Sequence, residues 1–298
     1  MEDRASLSIT EPSIAKSASI ATIGKSWGSV GVTGRASFEL QLPLSAGRGF
    51  DPAMVLSYDS QGGNGPFGIG WHLGINAITR RTSKGVPDYL DVDIMVGPGG
   101  EELMPELDDE GRPKSRLETR YRELDVGEHR VVRYWPRVER SFDLIELWQP
   151  QGKPPFWLVH GANGSLHVYG KTDASRRAEP VDPANPDASP RIGVWLLLES
   201  MNPHGEHICF DYKPDDQPHS PDDSHDYRAQ RYLHRVCYGN ALASNDLYAW
   251  TVENPANLDW HFHLVFDYGE RTLDLQQKPL YGPPFAVSYT HLTLPTKA

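Results

Sequence analysis

From Ser37 to Leu44 the chain reads SFELQLPL, with Phe38, Leu40, Leu42 and Leu44 at every second position. A period of two puts these residues on one face of a half-buried strand. After the loop SAGRGFDPA, MVLSYD predicts a second strand, and Ile69, Trp71, Leu73 and Ile75 then alternate toward Thr79. PFWLVHGANGSLHVYG predicts a hairpin, because Asn163-Gly164 separates two alternating runs and Asn-Gly favours a tight turn. A second hairpin is GVWLLLES-MNPHG-EHICFDY, with Ile208, Phe210 and Tyr212 on one face. RYLHRVCYGN places Tyr232, His234, Val236 and Tyr238 on alternate positions, and DWHFHLVFDYG does the same for Trp260, Phe262, Leu264, Phe266 and Tyr268.

The segments between these runs read as connections. GPGGEELMPELDDEG (Gly97 to Gly111) is acidic and rich in turn residues, ASRRAEPVDPANPDASP joins the two hairpins, and KPDDQPHSPDDSHD is a solvated linker by composition. No convincing amphipathic helix is present beyond a turn or two near Ala229 to Leu233. The fold class is therefore all-β, of antiparallel strands and hairpins with few or no helices. Strands end in a Tyr-Gly step at Tyr169-Gly170, Tyr238-Gly239 and Tyr268-Gly269. Their spacing is not fixed, so the pattern is a sheet of successive hairpins and no strict repeat.

Composition agrees with many short strands. The chain has 298 residues, 38% of them hydrophobic, with 27 Gly and 25 Pro to supply turns. Its 29 Lys and Arg against 40 Asp and Glu give a net charge of −11, and no basic run offers itself to phosphates. Nucleic acid is thereby set aside as a main partner. Cys209 and Cys237 are too few for a disulfide framework and read as buried free thiols. The start, MEDRASLSITEP, lacks the apolar stretch of a signal peptide, and no run is long enough to span a bilayer.

The densest motif is LSYDSQGGNGPFGIGW, from Leu56 to Trp71. Gly65-Pro66-Phe67-Gly68-Ile69-Gly70 reverses the order of a dinucleotide-binding loop, and a strand-like run follows where that loop needs a helix. A turn that packs against its own aromatics is the better reading. Tyr58 ends one strand, Trp71 lies in the next, and Gly62, Gly63, Asn64 and Gly65 supply positive φ between them. Phe67 and Trp71 are expected to plug the sheet interior. Tyr58, Asn64, Gly65, Phe67, Gly68, Gly70 and Trp71 form this structural motif, which carries no catalysis.

Other chemistry is weakly supported. His204 and His207 lack the helical spacing of a zinc pair, and His261 and His263 share what reads as a solvated strand face with no third ligand. No nucleophile elbow occurs, and Asp91, Asp93, Asp108 and Asp109 read as solubilising charge. No catalytic, cofactor-binding or metal-binding residues are assigned. The 8 Trp and 13 Tyr either fill a thin core or form a glycan-binding face.

The stretch from VTGRASFELQLPLSAGRGFDPAMVLSYD through GGNGPFGIGWHLG resembles the opening signature of SpvB-type virulence-plasmid B proteins, which include the B components of insecticidal Tc toxins. WLLLESMNPHGEHICFDYK, AQRYLHRVCYGN and HLVFDYGE are similar to later family segments, so the resemblance covers Thr33 to Glu270. The sequence departs from the family at Asp51-Pro52-Ala53 and His72. The resemblance implies part of a curved β-sheet shell of the Rhs and Tc cocoon kind, non-enzymatic, which encapsulates and helps deliver a partner's toxic domain. Its implied partners are an Rhs-repeat C component and a pore-forming A component, with no direct membrane span. Its implied location is extracellular without a signal peptide, after a bacterial cytoplasmic stage. The alternative is a free-standing β-rich surface protein that binds glycans through exposed aromatics.

The expected organisation is a loosely ordered leader (1–28), an SpvB-like β domain (29–286) and a foreign tail (287–298). VSYTHLTLPTKA follows KPLYGPPFA abruptly, and its first codons resemble the mosaic end of transposon-based sequencing adapters. The natural chain is expected to continue past Ala286. A wall segment cut from its neighbours would leave open strand edges, which predicts poor solubility for residues 1–286 alone.

Overall fold

The computed structural model describes residues 34–122, 124–180, 185, 190–215, 228–252, 254–266 and 268. The expected leader, the foreign tail and most of the linker after Lys213 lie outside the described residues. Strands begin with β1 (Ser37–Gln41), β2 (Val55–Asp59), β3 (Asn64–Gly65), β4 (Gly68–Ile69) and β5 (Trp71–Leu73). β1, β2 and β5 form a three-stranded antiparallel sheet, and β3 pairs with β4 beside it. Next come β6 (Ala77–Arg80), β7 (Met95–Val96), β8 (Glu102–Pro105), β9 (Ser115–Tyr121), β10 (Asp125–Pro136), β11 (Leu144–Pro150), β12 (Phe156–His160) and β13 (Leu166–Tyr169). β14 (Arg176–Ala178), β15 (Ile192–Met201), β16 (His207–Pro214), β17 (Arg231–Asn240) and β18 (Trp260–Val265) complete the order. A single short α-helix among the described residues, α1 (Tyr248–Thr251), lies between the last two strands.

The main sheet closes on itself. Neighbours run β6-β7-β8-β10-β11-β12-β13-β15, and β15 returns to β6, which makes an eight-stranded antiparallel ring. The ten residues of β15, IGVWLLLESM, are long enough to change partners midway. Val194, Trp195 and Leu196 pair with β6, whereas Leu197 to Met201 pair with β13. Glu199 to Met201 also pair with β16, so a second sheet, β16-β17-β18, branches from the ring.

The ring strands β11, β12, β13 and β15 are largely buried on both faces. Directly paired residues share a face, and the pairs Trp157–Leu147, Ile145–Val159, Val132–Leu147 and Trp195–Ile78 place one set inside the ring. Trp157 and Ile78 are fully buried there. The opposite set, with Trp148, Phe156, Leu158 and Val168, is covered by Leu247 and by Trp250 of α1. A strand buried on both faces loses the apolar–polar alternation that marks a half-exposed one. For that reason β11 and the buried half of β10 carried no clear signal, although β10 is the longest described strand. β9 beside β10 is mostly exposed and polar.

Both predicted hairpins form, as β12–β13 and β15–β16, with Gly164 and Gly205 at positive φ in their turns. Several connections were read too simply. The acidic stretch contains β8, the connector contains a 3-10 turn at Asp173–Ser175 and β14, and Ala229 to Leu233 leads into β17 with no helix. The even alternation of β17 is also corrected. A bulge between Asp211 and Tyr212 in the β16–β17 pairing puts Leu233 with Val236 and Tyr238 in the core, while Tyr232 turns to Asp215. Trp260 likewise leaves the face of Phe262 and Leu264 and packs with Cys209 and Cys237. Gly239, at φ +66, precedes that change of face.

Two features bear on the expectation for the isolated chain: the ring is closed, while among the described residues β1, β9 and β18 pair on one side only. Closure pairs both edges of the ring's strands, which is the arrangement that removes templates for aggregation. We expect the purified chain to be monodisperse and to melt in one transition. Size-exclusion chromatography with light scattering and a two-probe thermal melt check this, and soluble aggregates or separate transitions would oppose it.

Candidate functional site

The glycine-rich motif is a compact knot at the edge of the three-stranded sheet. Tyr58 on β2 lies directly opposite Trp71 on β5, with ring centroids 5.2 Å apart, and Phe38 of β1 packs edge-on to Trp71 at 6.3 Å. Pro66 and Phe67 turn the β3–β4 hairpin, in which Asn64 faces Ile69 and Gly65 faces Gly68. The positive φ angles fall at Gly68 (+102) and Gly70 (+79), and Gly62, Gly63, Asn64 and Gly65 have none. Crowding, and not φ, is what requires glycine at two of these earlier positions. A Cβ on Gly62 would stand 3.0 Å from the Asp59 carbonyl, and one on Gly65 would stand 3.0 Å from that of Trp71. At Gly70 both demands meet, since a Cβ would lie 2.5 Å from the same Asp59 oxygen.

Phe67 and Trp71 are half-buried and do not plug an interior. Phe67 instead reaches across to Phe266 and Tyr268 just past β18, at 5.9 and 6.2 Å. The motif thus rivets the first sheet to the last strand. Beside it, the Asp59 carboxyl is held below the usual range by the Arg35 guanidinium and the Gln61 amide.

A second polar site went unread in the sequence. Glu199 of β15 and His207 of β16 are both fully buried, with His207 Nδ1 donating to Glu199 Oε1 at 2.7 Å. His207 Nε2 donates to the Ser244 carbonyl at 2.8 Å. Glu199 further accepts the backbone N–H groups of Tyr248 and Ala249, at 2.9 and 2.8 Å, and so caps α1. Asn240 adds donors to the Gly205 and Leu242 carbonyls. These bonds fasten the segment from Ser244 to Ala249 over the outer faces of both sheets. The sequence signal was present only as His207 in the HGEH run; its partner eight residues back lies in a different strand.

Beneath this strap lie Cys209 and Cys237, directly opposed on β16 and β17, buried and free. Burial raises both thiols, Cys237 to about 11, so neither is a ready nucleophile. His261 and His263 are exposed on β18, and His204 is exposed in its turn. Among the aspartates read as solubilising charge, Asp93 is corrected. Its carboxylate is nearly buried and binds Arg80 at 2.7 Å, closing one end of the ring together with Trp195, whose Nε1 donates to the Pro155 carbonyl. Asp108 caps its own turn by accepting from Arg112 and Glu110.

The tryptophans bear on the glycan alternative. Trp148, Trp157, Trp195 and Trp260 are buried, and Trp71 and Trp250 are half-buried. Among the described residues Trp135 alone is exposed, at 40%, with Arg133 stacked 3.7 Å over its ring. Most of the described tryptophans thus fill the core, where a sugar platform would need them exposed.

Residues 30–282 match the family model described as the Salmonella virulence plasmid 65kDa B protein, SpvB. The mono(ADP-ribosyl)transferase SpvB of Salmonella typhimurium is 42% identical over 264 residues, which span 87% of this chain and 44% of that protein. The chain therefore spans less than half the length of the curated relatives it matches. The solved N-terminal domain of effector protein SpvB from Salmonella typhimurium strain LT2 superposes with a TM-score of 0.68 at 42% identity, covering 83% of this chain and 77% of that one. A TcdB2-TccC3 structure gives 0.72 at 37% identity over 93% of this chain and 13% of that one. A Photorhabdus luminescens Tc holotoxin pore gives 0.72 at 37% identity, over 95% and 13%. With its ring, its branching sheet and its glycine knot, the chain belongs to the SpvB virulence-plasmid B protein family.

Proposed function

We propose that this chain is a non-enzymatic wall segment of a toxin-complex B component, part of a hollow β shell that encloses and helps deliver a partner's toxic domain. The observation that carries this reading is the likeness to TcdB2-TccC3, in which 93% of this chain corresponds to 13% of a far larger one. A segment in that position serves as part of a wall. The interior supports the same reading, because the ring is filled by Trp157, Ile78 and their neighbours. Neither the glycine knot nor the Glu199–His207 pair presents an activated nucleophile, and the buried imidazole is committed to two acceptors. The relatives named mono(ADP-ribosyl)transferase are matched over 44% of their length, and the solved SpvB structure this chain superposes on is the N-terminal domain.

The partners follow from the same likeness: an Rhs-repeat C component that completes the enclosure, and a pore-forming A component. Release outside the bacterium completes the proposal. The test is co-expression of the complete natural protein with the Rhs-repeat protein encoded beside it. We expect the two to co-purify as a stable complex that protects the C component's toxic domain from added protease. Separate elution of the two proteins would overturn the shell reading.

A further inference from the structure

One end of the ring is sealed by Arg80 and Trp195; the other opens into a cavity of about 380 Å³. That volume falls in the range of small-molecule sites, which favour the mouths of β-barrels. Its apolar wall is formed by Ile145, Val159 and the ring of Tyr169. Tyr169 is only 2% exposed, yet its hydroxyl has no hydrogen-bond partner among the described residues. Its hydroxyl is not among the side-chain atoms closed off from solvent without a partner, so it is open to a partner in the cavity.

The charges around the mouth are also uncompensated. Glu101 comes from the β7–β8 turn, and Arg140 and Asp143 come from the β10–β11 connection. Among the described residues none of the three has an ion pair, although many surface charges of this chain do. Asp143 accepts only the Ala162 amide, at 3.2 Å. Gly97 and Gly99 make room for the Glu101 carboxylate, since a Cβ on either would lie 2.8 or 2.4 Å from its oxygens. The nearby His167 is held by Ser165 and Ser200 and is committed to those hydroxyls.

From this arrangement we infer that the ring mouth is a binding site for a small zwitterion of the α-amino acid class with an apolar side chain. The ligand's ammonium meets Asp143 and Glu101, its carboxylate meets Arg140, and its side chain lies against Ile145 and Val159. The Tyr169 hydroxyl donates to the ligand carboxylate or accepts from its ammonium. The inference concerns this chain alone and stands independently of the shell reading.

Isothermal titration with L-leucine as the probe tests it, beside isopentylamine, which lacks the carboxylate, and 4-methylpentanoate, which lacks the ammonium. We expect saturable one-to-one binding of L-leucine, with each of the other two weaker by tenfold or more. Asp143→Asn is expected to weaken L-leucine about tenfold, and Tyr169→Phe, which removes only an oxygen, about threefold to tenfold. Each variant's thermal melt is recorded without ligand, so that a folding defect is separated from lost affinity. Should Asp143→Asn unfold, Arg140→Gln on the exposed connection gives the same reading through the carboxylate arm. Absence of saturation up to 10 mM L-leucine would overturn the inference, and so would equal binding of all three probes. Binding that survives both Asp143→Asn and Arg140→Gln unchanged would overturn it as well.

Discussion

Glu199→Ala is expected to destabilise the protein by about 3–5 kcal/mol, the range for removing one member of a buried ion pair. The loss is large because one carboxylate serves three donors. His207 Nδ1 and the amides of Tyr248 and Ala249 all end on its two oxygens, and both side chains are cut off from water. Without it, an imidazole that already donates to the Ser244 carbonyl faces an apolar gap. The strap loses its cap at the same moment. For a chain of this size the melting temperature should fall by roughly 6 to 20 °C. Glu199→Gln keeps an acceptor but turns an NH2 toward a donor, and is expected to cost less than the alanine. Chemical denaturation measures the loss, and thiol labelling localises it. If the strap is released, Cys209 and Cys237 beneath it become reactive before the rest of the protein unfolds. A loss under about 1 kcal/mol, with labelling no faster than in the parent, would show that the pair does not hold the strap.

The second large effect is expected at Gly170, the glycine of the first Tyr-Gly step. It sits at φ +66, and a Cβ there would stand 2.2 Å from Cδ1 of Trp195. That indole cannot retreat freely. Its Nε1 is bonded to the Pro155 carbonyl, and its ring meets Trp157 edge-on at 6.0 Å. Alanine at this position adds a left-handed backbone penalty of about 1–2 kcal/mol to an overpacking cost of about 1–3 kcal/mol. We therefore expect Gly170→Ala to cost about 2–5 kcal/mol by urea denaturation. Gly152 supplies the internal control. It has a similar φ of +68 but nothing within 4 Å of its missing Cβ, so Gly152→Ala should show the backbone penalty alone. Equal losses at the two positions would mean that the contact with Trp195 contributes nothing.

Much of this architecture was legible in the chain itself. Asn163-Gly164 and the MNPHG turn identified the two hairpins, whose strands are largely buried on both faces, so the turn residues carried the signal. The Tyr-Gly steps marked places where a buried ring is followed by a backbone turn open only to glycine, as at Gly170 and Gly239. The glycine-rich stretch was readable as a knot and not a phosphate loop, from the order of its glycines and the strand after it.

Tertiary structure decided the rest, for one physical reason: the determining contacts join residues distant in sequence. Nothing in IGVWLLLESM says that its first half pairs with β6 and its second with β13, yet that exchange closes the ring. Strands buried on both faces carry no alternation, which hid β11 and the buried half of β10, while β9 is too polar to show an apolar face. The role of Glu199 depends on amides 49 and 50 residues away, and that of Phe67 on rings beyond β18. The uncompensated charges of the ring mouth become neighbours only when two separate turns meet over one end of the barrel. Local pattern determined the strands and turns of this protein, and long-range pairing determined what they enclose.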